Sequence, residues 1–277
     1  DSDPAGYPNS GNAAFVNLLL EHRKMLDRLR PGIELVYWMH AGWPAYGRYY
    51  ATHTFKRGTP AEFAEAMTML KEHNPEPWLL ANNLAIATKL GLEDRVINFS
   101  YGQIEQEPQL PLTNFWSERA FKAGSDAAPR GVVGNAQSHV LQLPNTFAFA
   151  QGAQNKPIGP EDYRTFAEQL IPGCGDEIER AWRAFASNDS AEMRAAAVAV
   201  SHLDHKSLQG GPLQGLLMGD PGRFVTDLKM QLRFAASYVD LLEADKLKSD
   251  LLEPLAEFAD AASDWQQRTG YQSYWKW

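Results

Sequence analysis

Leu35-Val36-Tyr37-Trp38-Met39-His40-Ala41-Gly42-Trp43 is the stretch on which the reading of the fold turns. The run from Ile33 to Met39 is rich in strand formers. It is bounded by Pro31-Gly32 on one side and Gly42 on the other, the punctuation of a short strand. Upstream, residues 13–30 put Phe15, Leu18, Leu19, His22, Met25, Leu26 and Leu29 at helical spacing. Pro31-Gly32 stops that helix. Downstream, an aromatic loop from Trp43 to Phe55 leads to a second helix, announced by Thr59 as N-cap, Pro60 at the first position and Glu62 three residues after the cap. Phe63, Met67 and Leu70 form its apolar face.

The alternation continues. Trp78-Leu79-Leu80-Ala81 reads as a brief strand, Ile86 to Leu90 as a short helix ended by Gly91, Arg95 to Tyr101 as a third strand and Gly131 to Gly134 as a fourth. Helices alternating with short strands specify parallel α/β structure. About four strands, all before residue 136, make half of an eight-stranded barrel. Such a sheet leaves open edges and an uncovered face; either it is an open doubly wound sheet or, the favoured reading, another chain or a second copy completes a barrel. From 160 onward the pattern is helical: 161–171, 174–187, 190–203, a Gly-rich link from Gly210 to Gly222, then two long stripes over 223–243 and 246–267. These two predict an antiparallel hairpin, with Pro254 kinking the second helix or beginning a new one. The expected organisation is an α/β, half (β/α) barrel region over 1–155 and an all-helical region over 156–277. The tail from Tyr271 to Trp277 carries four aromatics and is expected to dock on this protein or a partner.

Composition narrows the function classes. The chain has 277 residues, 44% of them hydrophobic and 22% charged, which is the balance of a soluble globular protein of about two domains. A net charge of −8 argues against nucleic acid and against anionic lipid as partners. No apolar run approaches the roughly 18 residues of a membrane span. The single Cys174 excludes an internal disulfide framework and multi-cysteine metal sites. Asp1-Ser2-Asp3-Pro4 has no signal-peptide character and equally suits an N-terminus left by processing, so the compartment stays open between periplasmic or secreted and cytoplasmic.

Ligands in parallel α/β folds bind at the carboxyl ends of the strands, so polar residues just after each strand are the candidates. After the first come His40, Trp43, Tyr46 and Arg48; after the second, Asn82 and Asn83; after the third, Tyr101, Glu105 and Glu107; after the fourth, Asn135, Gln137, His139 and then Asn145. Glu105 and Glu107, two apart, point the same way in an extended segment. Neighbouring carboxylates push each other's pKa apart, leaving one protonated as an acid and one ionised as a base or nucleophile. His40 is placed to act as a general base or to donate to a hydroxyl. The asparagines, Gln137 and His139 suit hydroxyl groups, and Trp43 offers a flat face for a sugar ring. Solvated glutamates and packed, hydrogen-bonded polar residues are the plainer readings of the same positions. Gly131-x-x-Gly134 lacks the third glycine of a dinucleotide loop, and no cofactor is expected. His202, Asp204 and His205 have ligand-like spacing but lie at a helix end.

The strand and loop Leu35 to Trp43, the Tyr101 to Glu107 segment, and Gly134-Asn135-Ala136-Gln137 running through Leu143 to Ala150 into a helical region together resemble the C-terminal half of a (β/α)8-barrel glycoside hydrolase. α-Glucuronidases and β-hexosaminidases share that plan. The similarity covers roughly residues 15–190, and the Asp-Glu pair at a strand end found in hexosaminidases has no counterpart. The resemblance implies a carbohydrate-sized polar pocket lined with aromatics. The expected function is therefore a carbohydrate-active hydrolase with a carboxylate pair, catalytic Glu105, Glu107 and His40, and substrate-binding Trp43, Tyr46, Arg48, Asn82, Tyr101, Asn135, Gln137 and His139. The alternative is a non-catalytic glycan-binding or assembly protein.

Overall fold

A computed structural model describes residues 12–38, 72, 78–82, 84–89, 91–100, 118–127, 129–136 and 142–269. The helix predicted to begin at Thr59 and the aromatic tail from Tyr271 lie outside them. The chain divides into two compact units, Asp1–Ser100 with Asp126–Val133, and Tyr101–Ser125 with Gly134–Trp277.

The first unit opens with α1 (Asn12–Leu29). Leu19 and Arg23 are buried on its inner face, and the Arg23 guanidinium donates to the Ile33 carbonyl at 2.7 Å. The helix ends in a tight turn: Ile33 N–H returns to Arg30 O at 3.3 Å around Pro31-Gly32, with Gly32 at φ +84°. Proline before a residue of positive φ is the signature of a type II turn, and glycine occupies that second position without a steric penalty. β1 (Leu35–Trp38) follows, then β2 (Trp78–Asn82), α2 (Leu84–Lys89) and β3 (Val96–Ser100). β1 and β2 pair in parallel from Leu35↔Trp78 to Trp38↔Ala81, and β2 and β3 from Leu80↔Val96 to Asn82↔Asn98. β4 (Val132–Gly134) completes the order β1-β2-β3-β4, and Asn98 N–H donates to Gly131 O at 3.0 Å.

The expected α/β half (β/α) barrel of four parallel strands is overturned. Among the described residues 68% are helical and no four-strand half barrel is formed; they make a mainly helical structure carrying a small parallel strip. The physical reason lies in strand length. Strands of three to five residues rise about 3.3 Å per residue, too little to make the tall, tilted wall around which a barrel closes. The strip buries little, with Leu79 and Val96 enclosed but Val36 and Val133 exposed.

The second unit carries most of the described core. It comprises α3 (Glu118–Ser125), α4 (Leu143–Ala153), α5 (Pro160–Leu170), α6 (Gly175–Ser187), α7 (Ser190–Ser201), α8 (Pro221–Leu247) and α9 (Leu252–Thr269). α3 packs on α4, and each helix from α5 to α9 packs on the next. Helix starts follow capping chemistry. Asp189 accepts from the N–H groups of Ala191 and Glu192 at 2.8 and 3.1 Å, and Asp220 from Arg223 N–H at 2.8 Å, satisfying donors that a helix start leaves free. Pro254 falls in the first turn of α9, so the second of its two expected effects, beginning a new helix, is the one observed.

The centre of this unit is a run of rings. Phe147 stacks on Phe166 with centroids 4.5 Å apart, Phe166 lies 5.8 Å from Trp182, and Tyr163 meets Phe147 edge-on at 5.3 Å. Burial, reinforced by the charge of Asp162, pushes the Tyr163 phenol well above its ordinary value near 10. The folded chain therefore keeps this proton to higher pH than the unfolded chain does. The stability that goes with it is complete below about pH 10 and falls as pH rises beyond that. Tyr163→Phe removes the titration, so thermal unfolding followed from pH 9 to 11.5 is expected to show a shallower alkaline decline than the wild type. Parallel curves would contradict the assignment.

Candidate functional site

The structure describes only part of the site expected from the sequence. Asn82 is the last residue of β2, in register with Asn98 of β3. Asn135 is half-buried, one residue past β4. His40, Trp43, Tyr46, Arg48, Asn83, Tyr101, Glu105, Glu107, Gln137 and His139 lie outside the described residues. Asn145 is fully buried within α4.

The described strand ends have a definite chemistry. Parallel pairing puts the carboxyl ends of β1, β2 and β3 on one edge of the strip, where Trp38 faces Ala81 and Asn82 faces Asn98. Asn98 is engaged structurally. Its Nδ2 donates to Asp126 O at 2.7 Å, while its Oδ1 accepts from Leu84 N–H, the first amide of α2, at 3.3 Å. One carboxamide thus caps α2 and ties it to the segment leading into β4. Arg130 Nε adds a bond to Asp94 O at 3.1 Å, joining that segment to the turn before β3.

A concavity of about 570 Å³, which the sequence did not lead one to expect, lies in the helical unit. Glu161, Arg164, Glu168, Asp176 and Pro212 are among the residues that line it. Its charged groups serve one another. Arg164 is bonded to Glu161 and, at 3.2 Å, to Asp176; these bonds, the one from Glu161 foremost, hold its guanidinium more firmly protonated. Glu168 accepts from the N–H groups of Gly173 at 2.7 Å and Gly175 at 3.1 Å, closing the start of α6 with its own carboxylate. The sequence signal was present in a glutamate just before Pro172-Gly173-Cys174-Gly175, a bend whose amides need an acceptor. Cys174 is buried within this bend. Burial foremost, with Glu177 and Glu168 adding to it, raises its thiol pKa, the opposite of what a nucleophilic cysteine requires.

The His202-Asp204-His205 spacing does not become a metal site. His205 Nδ1 is 3.0 Å from Thr226 Oγ1, whose hydroxyl donates to Gly222 O at 2.9 Å. Among the described residues no three His, Cys, Asp or Glu side chains are gathered to hold a metal ion, and no helix is long and apolar enough to cross a membrane. Compared with protein-family models, curated proteins and solved structures, the chain matches none.

Proposed function

We propose that the protein is a carbohydrate-active hydrolase of glycosidase type that uses Glu105 and Glu107 as its carboxylate pair. One observation supports the reading. The parallel strands β1, β2 and β3 run the same way, so their last residues Trp38, Asn82 and Ser100 lie on one edge of the strip, with β3 reaching two residues beyond Asn82. That edge is the side on which ligands gather in parallel α/β structure. His40 follows Trp38 by two residues in sequence, and Tyr101 follows Ser100 directly, with Glu105 and Glu107 soon after.

In this reading one carboxyl group, kept neutral by its charged neighbour, protonates the departing glycosidic oxygen. The other, ionised, attacks the anomeric carbon or takes a proton from the attacking water. His40 and Tyr101 hold hydroxyl groups, as do Tyr46, Arg48, Asn82, Asn135, Gln137 and His139, and Trp43 stacks on a ring face. The chemistry needs no cofactor.

The purified full chain is to be assayed on a panel of aryl glycosides and polysaccharides. Glu105→Gln and Glu107→Gln are each expected to lower kcat/KM by about 10²-fold or more while leaving the unfolding temperature unchanged. Hydrolysis untouched in both variants, or no turnover of any glycoside by the wild type, removes the reading.

A further inference from the structure

α8 and α9 form an antiparallel hairpin. Arg268, near the end of α9, donates from Nε to Asp227 Oδ1, near the start of α8, at 2.7 Å. Arg194 of α7 is bonded to Asp240 of α8 and, at 2.9 Å, to Glu257 of α9. Aromatic packing inside the hairpin reaches as far as Phe258, whose ring is 5.3 Å from Phe234 and 5.7 Å from Tyr238. Nearer the turn the leucines continue but their cover does not. Leu247 and Leu252 are 76% and 77% exposed, Leu242 and Leu255 about half, and Leu251 is 36% exposed.

We propose that the turn end of this hairpin is a self-association surface, on which the same leucines of a second copy of the chain pack to make a four-helix bundle. A two-helix hairpin buries one stripe of each helix against its mate. A second stripe at the turn end finds its apolar partner when another hairpin meets it.

Charge and area select a second copy over other occupants. A twofold contact sets a patch against itself, so its rim must carry both signs. Here Lys246 and Lys248 stand beside Asp245 and Asp250, all exposed, and none of the four is in an ion pair among the described residues. Each lysine of one copy thereby has a carboxylate to meet on the other. Leucines at these exposures amount to an apolar patch on the order of 400 Å². That is about half of the roughly 800 Å² per partner in a standard interface, so the dimer is expected to be weak and to form only as concentration rises.

Sedimentation velocity of the full chain from 1 to 300 μM tests this, with Leu247→Asp/Leu252→Asp as one variant and Lys246→Glu/Lys248→Asn as a second. All four positions are exposed, so neither variant disturbs the core, and circular dichroism checks that both remain folded. The expected result is a concentration-dependent dimer in the wild type whose Kd rises at least about tenfold in each variant. A monomer at every concentration overturns the proposal, as does a dimer that persists unchanged in the leucine variant. A monomeric wild type that co-sediments with phosphatidylcholine vesicles assigns the leucines to a lipid surface and overturns it equally.

Discussion

Gly152→Ala is expected to destabilise the helical unit by about 3 kcal/mol, although an alanine ordinarily improves a helix interior by about 1 kcal/mol over glycine. A Cβ at Gly152 would collide with the carbonyl oxygen of Phe121 and lie 2.8 Å from its carbonyl carbon. Reciprocally, a Cβ at Gly124 would collide with Phe149 O and lie 2.9 Å from Ala153 N. The obstructing atoms are backbone in both directions, so no rotamer change relieves the contact. α3 and α4 must move apart, and the apolar seam carrying Ala120, Ala123 and Phe149 opens with them. Because one separation accommodates both methyl groups, Gly124→Ala/Gly152→Ala is expected to cost clearly less than the sum of the single changes. Thermal unfolding gives the stability, and amide exchange over residues 118–125 shows whether α3 has undocked. A neutral or stabilising Gly152→Ala would mean that the crossing is looser than the structure describes.

Trp182→Ala is expected to lower stability by about 3–5 kcal/mol, the cost of deleting a large core ring and leaving part of its volume empty. Trp182 is 1% exposed and sits between Phe166, at 5.8 Å, and Tyr163, at 6.5 Å, so that one truncation opens both ring contacts. Ring pairs of this kind are worth about 0.5–1.5 kcal/mol beyond the area they bury. Collapse into the void is hindered because α6 is flanked on both sides, by α5 and by α7. In urea the midpoint is expected to fall with little change in slope, and Trp182→Phe should recover a substantial part of the loss. An unfolding free energy within about 0.5 kcal/mol of wild type would place the core elsewhere.

Both sites show how legibility varied along the chain. Trp182 belongs to an amphipathic helix whose spacing is plain in the sequence, with Ile178, Ala181, Trp182 and Phe185 on the buried side. The same holds for most of α8: on the stripe expected over 223–243, Val225, Leu228, Leu232, Ala235 and Val239 are buried, while Leu242, which continues that stripe, is half exposed. α3 was not expected. Glu118-Arg-Ala-Phe-Lys-Ala-Gly-Ser offers alanine and glycine where a helix usually shows leucine, and those small residues make sense only against the backbone of α4. The strands were located to within about two residues, but their weight in the architecture was misjudged. Pattern shows that a segment favours a strand; it does not show whether four such segments, each only a few residues long, can enclose a core.

The site divides in the same way. That Asn82 and Asn135 would fall at strand ends was readable from where the apolar runs stop. That Asn98, one register step away, would be consumed in bonding Leu84 N–H and Asp126 O was not. Those partners lie 14 and 28 residues distant in sequence, and no local pattern marks them. The buried position of Asn145 and the closure of the α6 start by Glu168 are of the same kind.

By itself, then, the sequence determined where the helices from about residue 160 onward run and most of the faces they bury, the leucines around the α8–α9 turn excepted, where chain direction changes at Pro31-Gly32, and that Pro254 interrupts the last stripe. These are consequences of spacing and backbone chemistry within a few residues. The tertiary structure alone decided that helix packing outweighs the sheet, that two glycines set the crossing of α3 and α4, and which polar side chains are spent on holding the fold. Those outcomes depend on backbone and side-chain atoms that meet across long stretches of chain, where local preference carries no information about the partner.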